Sequence, residues 1–186
     1  MNLQTNQQSS YALCRKPAAK TPSFFIISIS LVLVLLSFFV INTSVFADDR
    51  AKTIEQILQM KKTPAGVVIE IVTWDGANLE WALPRSQEYI KQLREKFPKL
   101  SVAIVTHGAE QFALTNDQKD DNKEVHSLVQ SLGKSDVPVH VCETFAGWRG
   151  LSSDDFPSYV NVAAAGPAQV NDYISVGYEL IVISEE

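Results

Sequence analysis

The chain has 186 residues, with 16 Lys and Arg against 21 Asp and Glu, which gives a net charge of −5 at pH 7. An acidic balance of this kind argues against nucleic acid or an anionic lipid surface as a binding partner. The length is that of one folded domain preceded by a targeting segment.

Residues 1–47 have the composition of a secretory signal peptide. Three basic residues come first, residues 24–41 form an apolar stretch, and small residues lead up to Ala47. We therefore expect cleavage after Ala47 and a periplasmic or secreted protein. A run of about 18 to 20 apolar residues also suffices to cross a bilayer, so an uncleaved anchor with the domain facing the periplasm stays open.

The chain contains two cysteines, Cys14 and Cys142. Cys14 precedes the apolar stretch, so it is not the lipid-bearing cysteine of a lipoprotein, which follows the cleavage point. After cleavage Cys142 is the only thiol. An unpaired cysteine in an oxidising compartment is an inert buried thiol, an intermolecular bridge or a reactive nucleophile.

Residues 48–65 are expected to form a peripheral helix or spacer, and residues 66–186 the folded domain. Short β-rich runs alternate there with stretches of helical periodicity. The predicted strands are 66–74, 100–106, 137–142, 160–164 and 178–183. The predicted helices are 79–97, 121–133 and 166–176, the second opening with a capping box of Asp121 and Glu124 and stopping at Gly133.

Near-continuous apolar strands between helices indicate a parallel α/β layer sandwich, with helices on both faces of the sheet. The carboxyl ends of parallel strands lie at one edge, where ligand sites of such folds are found. Asp75 follows the first predicted strand, His107 follows the second and Cys142 ends the third. We expect these three residues at one edge of the sheet.

Cys142 precedes residues 143–150, which are long enough for about two helical turns before a glycine. A helix that begins at Glu143 or Thr144 places the thiol at its amino end, where unpaired N–H groups favour the thiolate. The charge of Glu143 opposes that effect. The alternative, a Cys142 that is a small buried hydrophobe, stays open on these grounds.

Three further residues are candidates for a supporting role, each with a structural alternative. His107 is a proton-shuttling neighbour of Cys142 or a cap of the turn after the strand. His140 shares a strand face with Cys142, where it pairs with the thiolate or is a core histidine. Arg149 binds an anionic substrate such as thiosulfate, or forms a salt bridge or subunit contact.

No metal or organic cofactor is expected. Three scattered histidines with one cysteine do not make a zinc site, and His126 is expected at the surface of a charged helix. The residues after the first predicted strand lack the glycine fingerprint of dinucleotide-binding proteins. The G-x-S-x-G elbow of serine hydrolases does not occur either.

Several short motifs, in order and spacing, resemble the DsrE/DsrF-like family, which belongs to the sulfur-relay superfamily of the TusD type. The resemblance spans about residues 66–183. It is carried by strand 67–74, the His107-Gly108 pair after a hydrophobic strand, Cys142 followed by Arg149-Gly150, segments 153–157 and 160–162, and the closing 176–178.

The resemblance implies a mostly parallel, five-stranded, flavodoxin-like sheet and a homotrimer or homohexamer. In sulfur-relay members the cysteine that matches Cys142 accepts sulfane sulfur as a persulfide and passes it to a partner's thiol, without a cofactor. We therefore expect an exported sulfur carrier or sulfurtransferase, with a thiol-bearing or small sulfur compound as donor and acceptor. The alternative is a non-catalytic oligomeric binding or scaffold protein with a silent, buried Cys142.

Overall fold

The structure is a computed structural model and describes residues 50–185. The predicted signal segment 1–47 and Cys14 lie outside the described residues. From residue 50 to residue 185, no helix is both long and apolar enough to cross a membrane.

The described chain alternates strands with helices. In chain order the elements are α1 (Ile54–Leu58), β1 (Gly66–Val72), α2 (Leu79–Lys96), β2 (Val102–Thr106), α3 (Lys123–Lys134), β3 (Val139–Cys142), α4 (Glu143–Gly147), β4 (Asn161–Ala163), α5 (Gly166–Ser175) and β5 (Tyr178–Ser184). Short 3₁₀ helices occupy Gly76–Asn78, Ala109–Leu114 and Ser153–Asp155. All five predicted strands are present, each shifted by no more than two residues at either end.

The five strands form one sheet in the order β4-β3-β2-β1-β5, and every neighbouring pair is parallel. The predicted α/β sandwich is confirmed, and the sheet is parallel throughout. Strand β2 is buried along its whole length. Such a strand needs cover on both faces, which helices on the two sides of the sheet provide.

Alternation along the strands divides the core between the two faces. Ile69 and Ile71 of β1 join the larger cluster, which also contains the buried side chains of α2 and α3. Val68 of β1 joins a smaller cluster with Val105 and Val170, on the face covered by α5. The two faces therefore pack against different helices.

Residues 51–58 pack against this domain. Ala51 forms a parallel bridge with Leu180 of β5, and Ile54 and Ile57 of α1 are buried in the larger cluster. The helix expected over this segment is restricted to Ile54–Leu58, opened by a capping box of the preceding Thr53.

Helix α3 begins at Lys123, so the predicted capping box of Asp121 with Glu124 is wrong. Asn122 is the N-cap and makes no side-chain cap hydrogen bond. The N–H of Asn122 donates to the carbonyl of Gln118 at 3.0 Å, because a preceding turn runs directly into the helix.

Gly133 does not end α3, which continues to Lys134. The chain leaves the helix at Asp136, whose φ of 56° lies in the left-handed region that Asp tolerates better than most residues. Apart from the neighbouring residues and backbone of its own helix, no atom lies within 4 Å of the position of a Cβ on Gly133. This glycine therefore has no role in close packing.

His126 of α3 is buried, although the sequence placed it at the surface. Its Nε2 donates to the carbonyl of Ala113 at 2.9 Å, so its Nδ1 accepts the hydroxyl proton of Tyr159 at 2.6 Å. Burial lowers the pKa of His126, and the nearby charge of Lys119 adds to that effect. The neutral ring therefore joins α3 to the segments on either side of it.

We expect the free energy of unfolding to decrease as the pH falls below about 6.5, the ordinary pKa of histidine. Because the folded pKa of His126 is lowered, the unfolded chain binds the proton more tightly. This loss is absent above pH 6.5 and grows as the pH approaches the folded pKa. Urea unfolding of the wild type and of His126→Gln across this range measures it. An equally steep decline in His126→Gln would contradict the assignment to His126.

Candidate functional site

Cys142 lies at the carboxyl end of β3 and is the N-cap of α4. Its Sγ accepts a hydrogen bond from the N–H of Phe145 at 3.4 Å. The predicted helix after the cysteine is confirmed, with five residues, and the thiol is at its amino end. Cys142 is only 4% exposed, so the residue is buried.

Gln111 holds the backbone of Cys142 in place. The N–H of Cys142 donates to Oε1 of Gln111 at 2.7 Å, and Gln111 is fully buried in the 3₁₀ helix Ala109–Leu114. Its Nε2 is the one buried side-chain N or O of residues 50–185 that has no hydrogen-bond partner. Sequence reasoning missed Gln111, because a short 3₁₀ helix has neither the strand nor the α-helix period.

Glu110 joins the carboxyl ends of β1 and β2 beside this site. Its Oε2 accepts the N–H of Thr73 at 2.8 Å and the hydroxyl of Thr73 at 3.0 Å. Its Oε1 accepts the N–H of Gly108 at 2.8 Å and the hydroxyl of Thr106. All four residues of this network are buried, so the carboxylate fixes the strand ends from which the site is built.

Gly108 is required by the close approach of Thr73 and Glu110. A Cβ at this position would lie 2.2 Å from the carbonyl oxygen of Thr73 and 2.3 Å from Oε2 of Glu110. The N–H of Ala109 also donates to that carbonyl at 2.8 Å. The absence of a side chain at Gly108 therefore lets the end of β1 and the carboxylate of Glu110 approach the backbone closely.

His107 is hydrogen-bonded to a carboxylate on the neighbouring strand. Its Nε2 lies 2.6 Å from Oε1 of Glu70, and the two side chains are 14% and 16% exposed. A Cβ on Gly166 would lie 2.4 Å from Cβ of His107, so the amino end of α5 packs directly on this ring. Among the described residues no hydrogen bond joins His107 to the sulfur of Cys142.

His140 is bonded to the helix that covers its face of the sheet. Its Nε2 lies 2.9 Å from the hydroxyl of Tyr173 in α5. Burial lowers the pKa of His140 and raises that of Tyr173. Within residues 50–185 no hydrogen bond links His140 to Cys142, and no group of three or more His, Cys, Asp and Glu is placed to hold a metal.

Arg149 stacks on the aromatic residues next to Cys142. Its guanidinium carbon lies 4.1 Å from the ring centre of Phe112, and that ring is 5.4 Å from the ring of Phe145, which donates to the sulfur. Trp148 packs edge-to-face on Phe145 and is 76% exposed. Over residues 50–185 no carboxylate pairs with Arg149, which is exposed. Arg149 therefore reaches, through Phe112, the residue whose N–H contacts the sulfur of Cys142.

Arg149 also borders a surface cavity of about 570 Å³. Thr115 and Asp117 also line this cavity, together with Gly76 and Ala77. The cavity therefore lies at the same edge of the sheet as Cys142.

The sequence profile described as the DsrE/DsrF-like family matches residues 37–183. The chain belongs to the DsrE/DsrF-like family. The matched range contains the whole site around Cys142. A search of curated proteins found no match.

Similar solved structures come from two bacteria and an archaeon. MTH1491 from Methanobacterium thermoautotrophicum, described as a protein of unknown function, is 16% identical over 63% of this chain and 99% of its own, with a TM-score of 0.51. The ychN protein from E. coli is 14% identical over 63% and 99%, with a TM-score of 0.47. BT1422 from Bacteroides thetaiotaomicron is 13% identical over 62% and 94%, with a TM-score of 0.45. The likeness to MTH1491 supports a shared fold.

Proposed function

We propose that this DsrE-family protein carries sulfane sulfur as a persulfide on Cys142. Family membership supports a role in sulfur relay. The observation that carries the proposal is the pair of hydrogen bonds at Cys142, one from the N–H of Phe145 to Sγ and one from its own N–H to Gln111. The first of these contacts places the sulfur next to an amide donor at the amino end of α4.

The reaction is a transfer between a donor persulfide and the thiolate of Cys142. The thiolate attacks the outer sulfur of R–S–SH, a new Sγ–S bond forms, and the S–S bond of the donor breaks. The donor thiolate R–S⁻ leaves with the electron pair, and the outer sulfur keeps its proton. Attack by an acceptor thiolate reverses these events and restores Cys142, so the cycle needs no external oxidant or reductant.

The burial of Cys142 determines how the donor reaches it. Since Cys142 is 4% exposed and is the N-cap of α4, we propose that α4 opens locally before a donor contacts Sγ. The guanidinium of Arg149, stacked on Phe112, offers an anionic donor a first contact close to α4. Closure of α4 afterwards shields the persulfide from water and from unspecific thiols.

The donor and acceptor are thiol-bearing proteins or small sulfur compounds. The acidic chain makes nucleic acid an unsuitable partner. Export to the periplasm or beyond, with residues 1–47 as the signal, and assembly into a homotrimer or homohexamer are further parts of the proposal. Amino-terminal sequencing and light scattering of the exported protein test these two parts separately.

Intact-mass spectrometry after anaerobic incubation with glutathione persulfide tests the proposal. The wild type should gain the mass of one sulfur atom and lose it when a thiol reductant is added. In protein cleaved after Ala47, which has lost Cys14, Cys142→Ser should gain none, because its hydroxyl is not a sulfur nucleophile at neutral pH. An equal gain in Cys142→Ser, or none in the wild type, would overturn the proposal.

The low exposure of Cys142 favours a second candidate, a non-catalytic oligomeric binding or scaffold protein. Here the thiol is a core residue that fills space between β3 and α4. This candidate predicts that Cys142→Ala leaves ligand binding and assembly intact and that iodoacetamide labels the native thiol no faster than the chain unfolds. The loading experiment above separates the two candidates, since only the first predicts a sulfur adduct.

A further inference from the structure

The carboxamide of Gln111 has one possible orientation. A backbone N–H only donates, so the atom that faces the N–H of Cys142 at 2.7 Å has to be the oxygen. The NH₂ group is consequently on the other arm of the same rigid amide, whose oxygen contacts the N–H of Cys142. Gln111 is fully buried, so water does not satisfy this NH₂ group from bulk solvent.

An unpartnered buried nitrogen is exceptional in this part of the molecule. The adjacent Glu110, equally buried, accepts four hydrogen bonds from Thr73, Thr106 and Gly108. Buried polar groups in native proteins normally have partners, and an exception calls for an explanation. An acceptor that arrives only during function provides one.

The outer sulfur of a persulfide is such an acceptor. It extends about 2 Å beyond Sγ, the length of an S–S bond, and carries negative charge when ionised. The N–H of Phe145 already donates a hydrogen bond to Sγ itself. The outer sulfur therefore needs a second donor, and Nε2 of Gln111 is the unused buried donor next to Cys142.

We propose that Gln111 is a positioning residue that fixes the backbone of Cys142 through Oε1 and donates from Nε2 to the outer sulfur of the persulfide. This inference rests on the proposed function. The persulfide forms by the transfer described above, from a donor persulfide, and Gln111 neither gives up nor receives a proton in it.

The test is the equilibrium partition of sulfane sulfur between glutathione and Cys142, measured by intact mass for the wild type and two variants. Gln111→Glu retains an acceptor for the N–H of Cys142 and replaces the donor, whereas Gln111→Met removes both. We expect each variant to hold sulfur about tenfold less tightly, the effect of losing one hydrogen bond to a charged group. Gln87→Glu, an exposed change on α2, is the matched control and should behave as the wild type.

The pH profile separates positioning from a merely structural role. A protonated Glu at position 111 still donates, whereas an ionised one repels the anionic sulfur, so the deficit of Gln111→Glu should grow as the pH rises. The deficit of Gln111→Met should stay constant. If the wild type takes up sulfur and the variants hold it equally well, only the role of Gln111 is overturned. If the wild type takes up no sulfur, both proposals are overturned.

A measurement on the wild type covers the case in which the variants do not fold. The side-chain NH₂ signal of Gln111, followed by nuclear magnetic resonance in protein labelled with ¹⁵N-glutamine, should shift when the persulfide forms. Cys142→Ser treated in the same way should show no shift. An unchanged signal in loaded wild type would overturn the inference.

Discussion

Replacing Glu110 by Gln should lower the free energy of unfolding by roughly 3 kcal/mol, since a buried donor left unsatisfied costs about 1–3 kcal/mol and more than one contact is affected. Each carboxylate oxygen accepts one backbone N–H, from Thr73 or from Gly108. An NH₂ group on either arm therefore points at a donor. Urea unfolding followed by circular dichroism measures the change.

The matched control is Glu95→Gln, which neutralises an exposed glutamate on α2. A surface change of this kind should alter stability by less than about 0.5 kcal/mol. If Glu110→Gln were as stable as Glu95→Gln, the buried carboxylate would not be what joins β1 to β2.

Gly108→Ala should destabilise the protein by about 3 kcal/mol, the upper part of the range for overpacking, or prevent folding into soluble protein. The added Cβ would lie 2.2 Å from the carbonyl of Thr73 and 2.7 Å from its N–H nitrogen. Both are backbone atoms of the β1 end, so relief requires the strand ends to separate. The φ of Gly108 is −95°, which alanine adopts without strain, and the expected effect is therefore purely steric.

Gly133→Ala is the control for this substitution. No atom outside the neighbouring residues and backbone of its own helix lies within 4 Å of the new Cβ. Because the residue is inside α3, the change should stabilise the protein by up to about 1 kcal/mol. Thermal and urea unfolding of the two variants should move in opposite directions. A Gly108→Ala protein as stable as the wild type would contradict the packing described for this edge.

The sheet was predictable because its signals are local. The apolar runs at β1 and β2 predict strands buried on both faces, and each was placed to within two residues of its observed ends. The position of Cys142 at the start of a helix also followed from local order, a strand followed by polar residues and then by glycine. These features depend on neighbours in the chain, which the sequence displays.

The interior of the site was not predictable, because its partners are far apart in the chain. Gln111 binds a residue 31 positions away, and Glu110 binds Thr73, 37 positions away. Only the parallel pairing of β1, β2 and β3 brings these residues together. A glutamate and a glutamine inside the otherwise apolar stretch 109–114 were the one available signal, since buried charge in such a stretch needs a partner.

The histidines illustrate the same limit. Alternation along β3 correctly places His140 and Cys142 on one face of the sheet. It does not reveal that the hydroxyl of Tyr173 in α5 is hydrogen-bonded to His140, or that the carboxylate of Glu70 is hydrogen-bonded to His107. Whether a histidine can contact a neighbouring thiol depends on which helix covers that face of the sheet. Here α5 packs on His107 and supplies the hydrogen-bond partner of His140.

The central claim, that Cys142 carries sulfur between thiols, is tested most directly by following one labelled sulfur atom. Protein loaded with radioactive persulfide, freed of donor and mixed with an excess of an acceptor thiol, should release its label to that thiol in one turnover per Cys142. Cys142→Ser carried through the same steps should hold and release none. Label that never enters the wild type, or that enters and leaves Cys142→Ser equally, would contradict the account.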